Sequence, residues 1–381
     1  MSDKANANEA RDERIAVVIP VRNQPFELTA CLDALLRAGA APDAIVVVDD
    51  ASTDSAVAAA AAARGVRVVR RGRQGGPAAA RNTGVAAADW ADIVFFVDAD
   101  VVVAPDAIRR VLAGFRDPTI AGLFGSYDAE PAAAATVSRY RNLLHHFVHQ
   151  AAAPEAQTFW AGCGAIRRAV FHQVGGFDEA ARWNFIEDIE LGDRLARAGW
   201  RIRLDKELQA KHLKRWTLAS MVRTDTAYRA RPWSHLLLEG AAMPDDLNLT
   251  RHQRAGIALS VVACGGLALT PLSPQTALPA AAAALVAVAA LNGRLFGLLR
   301  RAGGARFAAA CFPLHVIHHC CAGVGFAWAC AERQLGNFCR IGLGVGLAAG
   351  ISRGRGRRGR DGARPSDGGR RAATIVGRKR R

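Results

Sequence analysis

Four short apolar runs set the pattern of the first hundred positions. They cover residues 15–21, 44–48, 66–69 and 93–97. Runs of this length, rich in Val, Ile and Phe and bounded by polar or turn-forming residues, predict buried strands. Helix-forming stretches separate them, at 26–38, 55–63 and 78–87. This alternation predicts βαβ units and a mostly parallel sheet, which defines an α/β fold class.

The alternation continues beyond residue 100. The pattern predicts a strand at 120–126 and helices at 105–115, 131–153 and 186–195. We therefore expect one domain over residues 14–235.

Carboxylates follow two of the predicted strands. Asp49 and Asp50 come after the second strand, and Asp98 and Asp100 come after the fourth. Ligands bind at the carboxyl ends of strands in parallel sheets. Extended residues two apart point the same way, so Asp98 and Asp100 face one ligand. Carboxylate oxygens suit Mg²⁺ or Mn²⁺, whereas the structural alternative is an acidic turn.

A third acidic group begins the predicted helix at residue 186. Acids in a first helical turn stabilise it by roughly 0.3–1 kcal/mol each, which is the structural explanation. The functional explanation is that one carboxylate of the Glu187-Asp188 pair acts as a base. Neither the G-x-G-x-x-G nor the G-x-x-x-x-G-K-[ST] nucleotide motif is present in the expected place.

Six short motifs occur along this domain in a fixed order. They are VVIPVRN (17–23), VVVDDASTDS (46–55), GGPAAARNTGVA (75–86), FVDAD (96–100), GGFDE (175–179) and EDIELGDRLARAGW (187–200). Together they make residues 14–215 resemble the inverting family 2 glycosyltransferases. The resemblance implies a GT-A nucleotide-sugar-binding domain with a mostly parallel sheet, in a membrane-anchored bacterial enzyme.

The resemblance also implies a donor pocket. Asp50, with Asp49 beside it, would contact the uracil ring. Pro20 and Arg22 would line the same base and ribose pocket, and Arg81 of the A-R-N motif would lie near the nucleotide.

Metal and catalytic roles follow from the same resemblance. Asp98 would contact ribose or metal, and Asp100 would be the main ligand of Mg²⁺ or Mn²⁺. Asp188, within the Glu187-Asp188 pair, would be the general base.

The segment HLKRW (212–216) stands where processive members of the family carry Q-x-x-R-W. His212 replaces the Gln, which argues against a processive polymer synthase. The resemblance implies that His212 binds metal or diphosphate, although a structural histidine is the alternative. Arg215 would lie near the diphosphate, and Trp216 and Asp178 near the acceptor.

Apolar residues are concentrated after residue 255. The runs 255–272, 276–293 and 307–330 approach the roughly 20 residues that span a bilayer. We expect a membrane region at 255–350 with two to four transmembrane segments, the fourth candidate being 341–351. Pro313 and three histidines interrupt the third run, so a buried or re-entrant helix is the alternative for it.

Charge and targeting signals complete the picture. Residues 2–14 lack the apolar core of a signal peptide, and the arginines after residue 293 mark a cytoplasmic loop. We therefore expect a multi-pass protein of the cytoplasmic membrane, with its catalytic domain on the cytoplasmic side. The basic, tryptophan-containing segment 201–235 suits an interface with anionic lipid, and a solvated face is its alternative.

The two chain ends are predicted to be disordered, over 1–13 and 351–381. Residues 352–381 hold twelve Arg and Lys against two Asp, within a formal net charge of +16. Beside apolar segments, such a tail favours a membrane surface over a specific nucleic acid.

These inferences define a hypothesis and two rivals. The hypothesis is transfer of a sugar, with inversion, from a UDP-sugar or other nucleotide-sugar to an acceptor hydroxyl that is lipid-linked or presented at the membrane. One rival is a polyprenyl-phosphate sugar synthase that uses GDP-mannose. The other is a catalytically inactive membrane scaffold with a basic tail that binds lipid or nucleic acid.

Overall fold

A computed structural model describes residues 13–180, 185–240 and 247–353, with side chains through residue 335. The chain divides into two compact units, 1–331 and 332–381, and every contact discussed below lies within the first. The predictions for 1–13 and 351–381 lie almost entirely outside the described residues.

A nine-stranded sheet forms the centre of the first unit, in the order β3-β2-β1-β4-β8-β6-β9-β5, with β7 paired to β9. The strands are β1 (Ile15–Val21), β2 (Ile45–Asp49), β3 (Arg67–Arg70), β4 (Ile93–Val97), β5 (Val101–Val103), β6 (Ile120–Tyr127), β7 (Glu155–Ala156), β8 (Cys163–Arg167) and β9 (Arg201–His212). Strands β3, β2, β1 and β4 are mutually parallel. The mostly parallel α/β sheet predicted from the apolar runs is confirmed.

Helices cover the sheet and form the C-terminal part. They are α1 (Pro25–Arg37), α2 (Ala56–Ala62), α3 (Gly76–Ala87), α4 (Ala107–Gly114), α5 (Thr136–Ala151), α6 (Arg168–Gln173), α7 (Glu187–Arg197), α8 (Leu218–Arg223), α9 (Arg231–Leu238), α10 (Arg251–Leu269), α11 (Pro274–Leu291) and α12 (Gly293–Arg353). A π-helical segment, Thr224–Ala230, joins α8 to α9. Short 3-10 helices lie at Pro42–Ala44 and Leu247–Leu249.

The sheet departs from the sequence pattern on one side. Strand β8 runs antiparallel between β4 and β6, and β9 occupies part of the segment that we expected to lie on lipid. Along β9, Ile202 and Leu204 are buried while Arg201 and Arg203 face outward. Because side chains alternate along a strand, Arg201 and Arg203 lie on the exposed face of a half-buried strand.

Helix α3 lies unusually close to the parallel strands. A Cβ atom at Gly84 would lie 2.3 Å from Val18 Cγ1, so a larger residue there would force the helix away. This close packing keeps Arg81 of the same helix near the strand ends.

Two described helices are long and apolar enough to cross a membrane, Pro274–Leu291 and the Gly293–Leu335 part of α12. Helix α10, which holds most of the run 255–272, is not one of them. Helix α12 is interrupted at Gly304 (φ 80°), and its side chains Leu295, Phe307 and Leu314 join the hydrophobic core on one side of the sheet. Several membrane passes and a cytoplasmic orientation stay predictions.

Candidate functional site

A cavity of about 450 Å³ opens where β1, β2 and β4 end. Most of the residues singled out in the sequence line it. They are Pro20, Arg22, Asp50, Arg81, Asp98, Asp100, Glu187, Asp188, His212 and Trp216. We call it the donor cavity. Residues separated by nearly two hundred positions therefore meet at one edge of the sheet.

Three predicted residues do not line the donor cavity. Asp49 is fully buried, and its carboxylate accepts hydrogen bonds from Arg70 and from the backbone N–H of Ser52, both at 2.8 Å. Asp178 accepts one from the backbone N–H two residues on. Arg215 is exposed. Asp49 thus orders the loop after β2 rather than contacting the cavity.

Asp50 fixes the glycine loop that begins α3. Its carboxylate accepts hydrogen bonds from Arg71 (2.8 Å) and from the backbone N–H groups of Gly75 (3.0 Å) and Gly76 (2.8 Å). Gly76 has φ 82°, a conformation that glycine adopts without steric cost. A buried carboxylate at this helix N-terminus is stabilised by the helix dipole.

Asn23 ties two of the cavity's loops together. Its side-chain oxygen accepts from the backbone N–H of Thr53 at 2.8 Å, and its own N–H donates to Ser52 Oγ at 3.0 Å. Asn23 itself has φ 55°, which Asn tolerates better than most residues. These bonds hold the turn that carries Arg22 at the cavity.

Arg81 connects the two acidic motifs. Its guanidinium donates to Glu187 Oε1 at 2.6 Å and to Asp98 Oδ1 at 2.7 Å, and the side chain is 5% exposed. Burial alone would disfavour its charge, but the charges of Asp98 and Glu187 prevail and raise the pKa of Arg81. Since Glu187 is buried and bound to this cation, it is a poor candidate for proton transfer.

Asp188 is the better-placed base. Its carboxylate accepts from the backbone N–H groups of Ala161 (3.2 Å) and Ile189 (2.8 Å), yet part of it remains exposed to the cavity. Burial and the neighbouring charge of Glu187 raise the pKa of Asp188 to about 6. A carboxylate with a pKa near the operating pH suits general-base catalysis.

His212 and Asp100 converge on one side of the cavity. His212 Nε2 lies 3.4 Å from Asp100 Oδ2, and Nδ1 lies 3.0 Å from Asn142 Oδ1. An amide oxygen only accepts, so Nδ1 donates its proton to Asn142 while Nε2 faces the carboxylate of Asp100. Tyr127 stacks on the His212 ring at 4.5 Å, which fixes its plane.

This donor set fits a divalent ion that also binds a diphosphate. Within the described residues, no three or more His, Cys, Asp or Glu side chains are grouped to hold a metal. However, Mg²⁺ usually takes only one or two carboxylates and completes its shell with phosphate and water. Asp100 and Nε2 of His212, with the second oxygen of Asp98, supply such a partial shell, and Asn142 orients the imidazole as outer partners of metal-bound histidines do.

Several lining residues escaped the sequence analysis. Asn142, Tyr127 and Arg229 line the donor cavity, and no motif marks any of them. Tyr127 lies in a strand, Asn142 in an α-helix and Arg229 in the π-helical segment, and in each case the sequence pattern shows at most the structural type. Arg229 was one of many basic residues in 201–236, where composition does not distinguish a buried cation from a surface one.

The mixed, mostly parallel sheet with its flanking helices is a GT-A-like fold. Residues 16–175 match the family described as "Glycosyl transferase family 2". The chain therefore contains a family 2 glycosyltransferase domain.

Individual proteins agree with this assignment. The chain is 31% identical over 228 residues to the pre-mycofactocin glycosyltransferase of Mycobacterium tuberculosis, a match that covers 56% of this chain and 46% of that one. It thus spans about half the length of that relative. A 38-residue stretch, 10% of this chain and 12% of the other, is 55% identical to N-acetylglucosaminyl-diphospho-decaprenol L-rhamnosyltransferase of the same species.

Among solved structures, the chain is similar to the mannosyltransferase PcManGT from Pyrobaculum calidifontis, crystallised with GDP-Man and Mn²⁺. The TM-score is 0.53 at 22% identity, over 83% of this chain and 87% of that one. At this identity the likeness establishes the shared fold.

Proposed function

We propose that this protein is a metal-dependent, inverting glycosyltransferase that moves a sugar from a UDP-sugar to a hydroxyl of a membrane-presented acceptor. One observation carries the proposal. Arg81 joins Asp98 of the D-x-D motif to Glu187 of the E-D motif within one cavity, so a site for a phosphate-bound metal and a site for a base adjoin each other.

The donor would lie along the strand ends. Pro20, Arg22 and Asp50 would surround the base and ribose, and Asp98, Asp100 and His212 would hold Mg²⁺ or Mn²⁺ at the diphosphate. The carboxylate of Asp50 accepts hydrogen bonds from the glycine loop, so Asp50 would also shape the pocket for the nucleobase. A bound divalent ion would neutralise the charge that develops on the departing diphosphate.

Asp188 would perform the proton transfer. Its carboxylate takes the proton of the acceptor hydroxyl as that oxygen attacks the anomeric carbon from the face opposite the diphosphate. The new carbon–oxygen bond forms while the bond to the diphosphate breaks, and the nucleoside diphosphate leaves with the bonding pair. A single displacement of this kind inverts the anomeric centre. The hydrogen bond from Arg81 occupies Oε1 of Glu187, which leaves Asp188 to act as the base.

The acceptor would be lipid-linked or held at the membrane. Support comes from the two helices that are long and apolar enough to span a bilayer, and from the decaprenol in the name of one partial relative. In this arrangement the catalytic domain lies on the cytoplasmic side, where nucleotide-sugars are made available. Trp216 lines the donor cavity and would contact the acceptor, whereas Asp178 and Arg215 would act from outside its wall.

The test is donor hydrolysis by the detergent-solubilised full chain across UDP-, GDP- and dTDP-sugars, with Mn²⁺ or with EDTA. Metal-dependent release of UDP from one sugar, lost in Asp100→Ala, supports the proposal. Preference for a GDP-sugar would favour the polyprenyl-phosphate synthase instead. Absence of both turnover and nucleotide binding would favour the scaffold.

A further inference from the structure

A second cavity, of about 470 Å³, adjoins the donor cavity. Its walls come from α5, the π-helical segment with α9, α10 and α12, and we call it the helix cavity. Arg141, His145 and Arg229 line both cavities. The two cavities therefore share a wall formed by these three residues.

The surface of the helix cavity is mostly apolar. Leu144, Val148, Trp233, Ile257 and Phe326 contribute to it. Its volume lies in the range of small-molecule sites, which are mainly apolar with a few polar groups. This composition suits a hydrocarbon and does not suit a sugar or a peptide backbone, whose polar groups would lose hydrogen bonds.

Polar side chains in the wall are bound to one another. Asp225 Oδ1 lies 2.8 Å from Arg141 Nη2, and Asp225 Oδ2 lies 2.8 Å from His318 Nδ1. His319 contacts Gln253 at 3.2 Å through Nε2. These hydrogen bonds and ion pairs connect α12 to α10 and to the π-helical segment. The polar groups that make them have protein partners and need no ligand.

Arg229 differs from these residues. It makes no hydrogen bond or ion pair with any described residue, although its guanidinium faces the junction of the two cavities. Burial and the charge of Arg141 lower the pKa of Arg229, and Asp225 and Asp188 offset this only in part. A cation in such a position is stabilised by an anionic ligand.

The helix cavity also lies next to apolar surface. Phe326 lines it and is 49% exposed, and Val261, Val262 and Leu267 of α10 are similarly exposed. Exposed apolar side chains on the helices that form a cavity suit a ligand that extends into lipid.

We propose that the helix cavity binds the hydrocarbon chain of a lipid acceptor and that Arg229 binds its phosphate group at the boundary with the donor cavity. This inference rests on the proposed function and names the acceptor class for the same site. The phosphate would anchor the acceptor so that its reacting group lies near Asp188.

The test uses geranylgeranyl diphosphate as the probe, titrated into the detergent-solubilised full chain. Geranylgeraniol and inorganic diphosphate separate the contribution of the chain from that of the phosphate, and UDP with Mn²⁺ is titrated in parallel. Ala322→Phe places a bulky side chain in the cavity. Ala327→Phe is the control, because Ala327 is exposed on the same helix and does not line the cavity.

We expect Ala322→Phe to lower the affinity for geranylgeranyl diphosphate at least about tenfold, while Ala327→Phe should bind it as the wild type does. Arg229→Met should weaken it about 10–100-fold, the range for a lost charge-assisted hydrogen bond, and leave geranylgeraniol unchanged. Inorganic diphosphate alone should bind far more weakly than the lipid.

The outcomes separate this inference from the proposed function. Normal UDP binding, with lipid affinity equal in the wild type, Ala322→Phe and Arg229→Met, overturns the lipid site alone. Diphosphate that binds as tightly as the lipid overturns the role of the hydrocarbon chain. Absence of UDP binding in the wild type overturns the proposed function and with it this inference.

Discussion

The two cavities have nearly equal volumes, about 450 and 470 Å³, but opposite chemistry. The donor cavity forms where parallel strands end, and carboxylates, Arg81 and the glycine loop make it polar. The helix cavity forms where α5, α10 and α12 pack, and it is mostly apolar. The difference teaches that a strand end projects a short motif into a site, whereas a cavity between helices depends on side chains from distant segments.

The largest expected effect comes from removing the base in the donor cavity. Asp188→Asn keeps the shape but cannot take a proton, so kcat should fall about 10²–10⁴-fold. Steady-state transfer of sugar from the preferred donor measures it. Asp193→Asn on the same helix is the matched control, since Asp193 pairs with Arg197 away from the cavity. Full activity in Asp188→Asn would remove Asp188 from the mechanism.

Arg81→Met tests whether the polar cavity depends on its buried cation. Without the guanidinium, Asp98 and Glu187 remain close together and uncompensated, so unfolding free energy should fall by about 3–5 kcal/mol. Denaturant titration of the detergent-solubilised chain measures the loss. Arg109→Met, on an exposed helix face, should change it by less than about 0.5 kcal/mol. Equal stabilities would mean that the bridge contributes little.

His318→Leu tests the wall of the helix cavity in the same assay. The substitution removes the hydrogen bond to Asp225 and should lower the unfolding free energy by roughly 1–3 kcal/mol, less than Arg81→Met. His252→Leu, at an exposed position of α10, controls for the added apolar surface. A larger loss of unfolding free energy in His318→Leu than in Arg81→Met would contradict the expectation that the donor cavity contributes more to stability than the wall of the helix cavity.

The smallest effect concerns pH. The pKa of Asp188 is raised to about 6, and a general base must be deprotonated, so activity should be complete above this value and fall as pH drops through it. Below pH 6, kcat should decrease about tenfold per unit. The pH profile of transfer measures this fall. A profile that is flat from pH 7 to pH 4.5 would contradict the assignment.

The sequence predicted most of the donor cavity because its chemistry is local. Asp98 and Asp100 follow an apolar run directly, and Asp50 follows another, so the parallel sheet alone brings them together. It could not show that Arg81 bonds to Glu187, since that contact depends on how α3 and α7 pack.

The remaining residues needed the folded chain. Asn142 and Arg229 lie on helical segments. Their periodicity predicts which face is buried but not which residues that face contacts. The histidines of 307–330 suggested a functional membrane segment or a buried helix, and His318 bonds to Asp225, ninety-three positions away. The sequence analysis missed strand β9 because its outward-facing arginines are also typical of a basic surface segment.

In this account the donor cavity binds a nucleoside diphosphate together with a divalent ion. The most direct test of this binding is equilibrium titration of UDP into the full chain with Mn²⁺ and with EDTA, for the wild type, Asp100→Asn and the control Asp106→Asn, which lies at the start of α4. We predict saturable binding that requires Mn²⁺, weakens at least about tenfold in Asp100→Asn and is unchanged in Asp106→Asn. Equal affinity with EDTA and in Asp100→Asn would contradict the account.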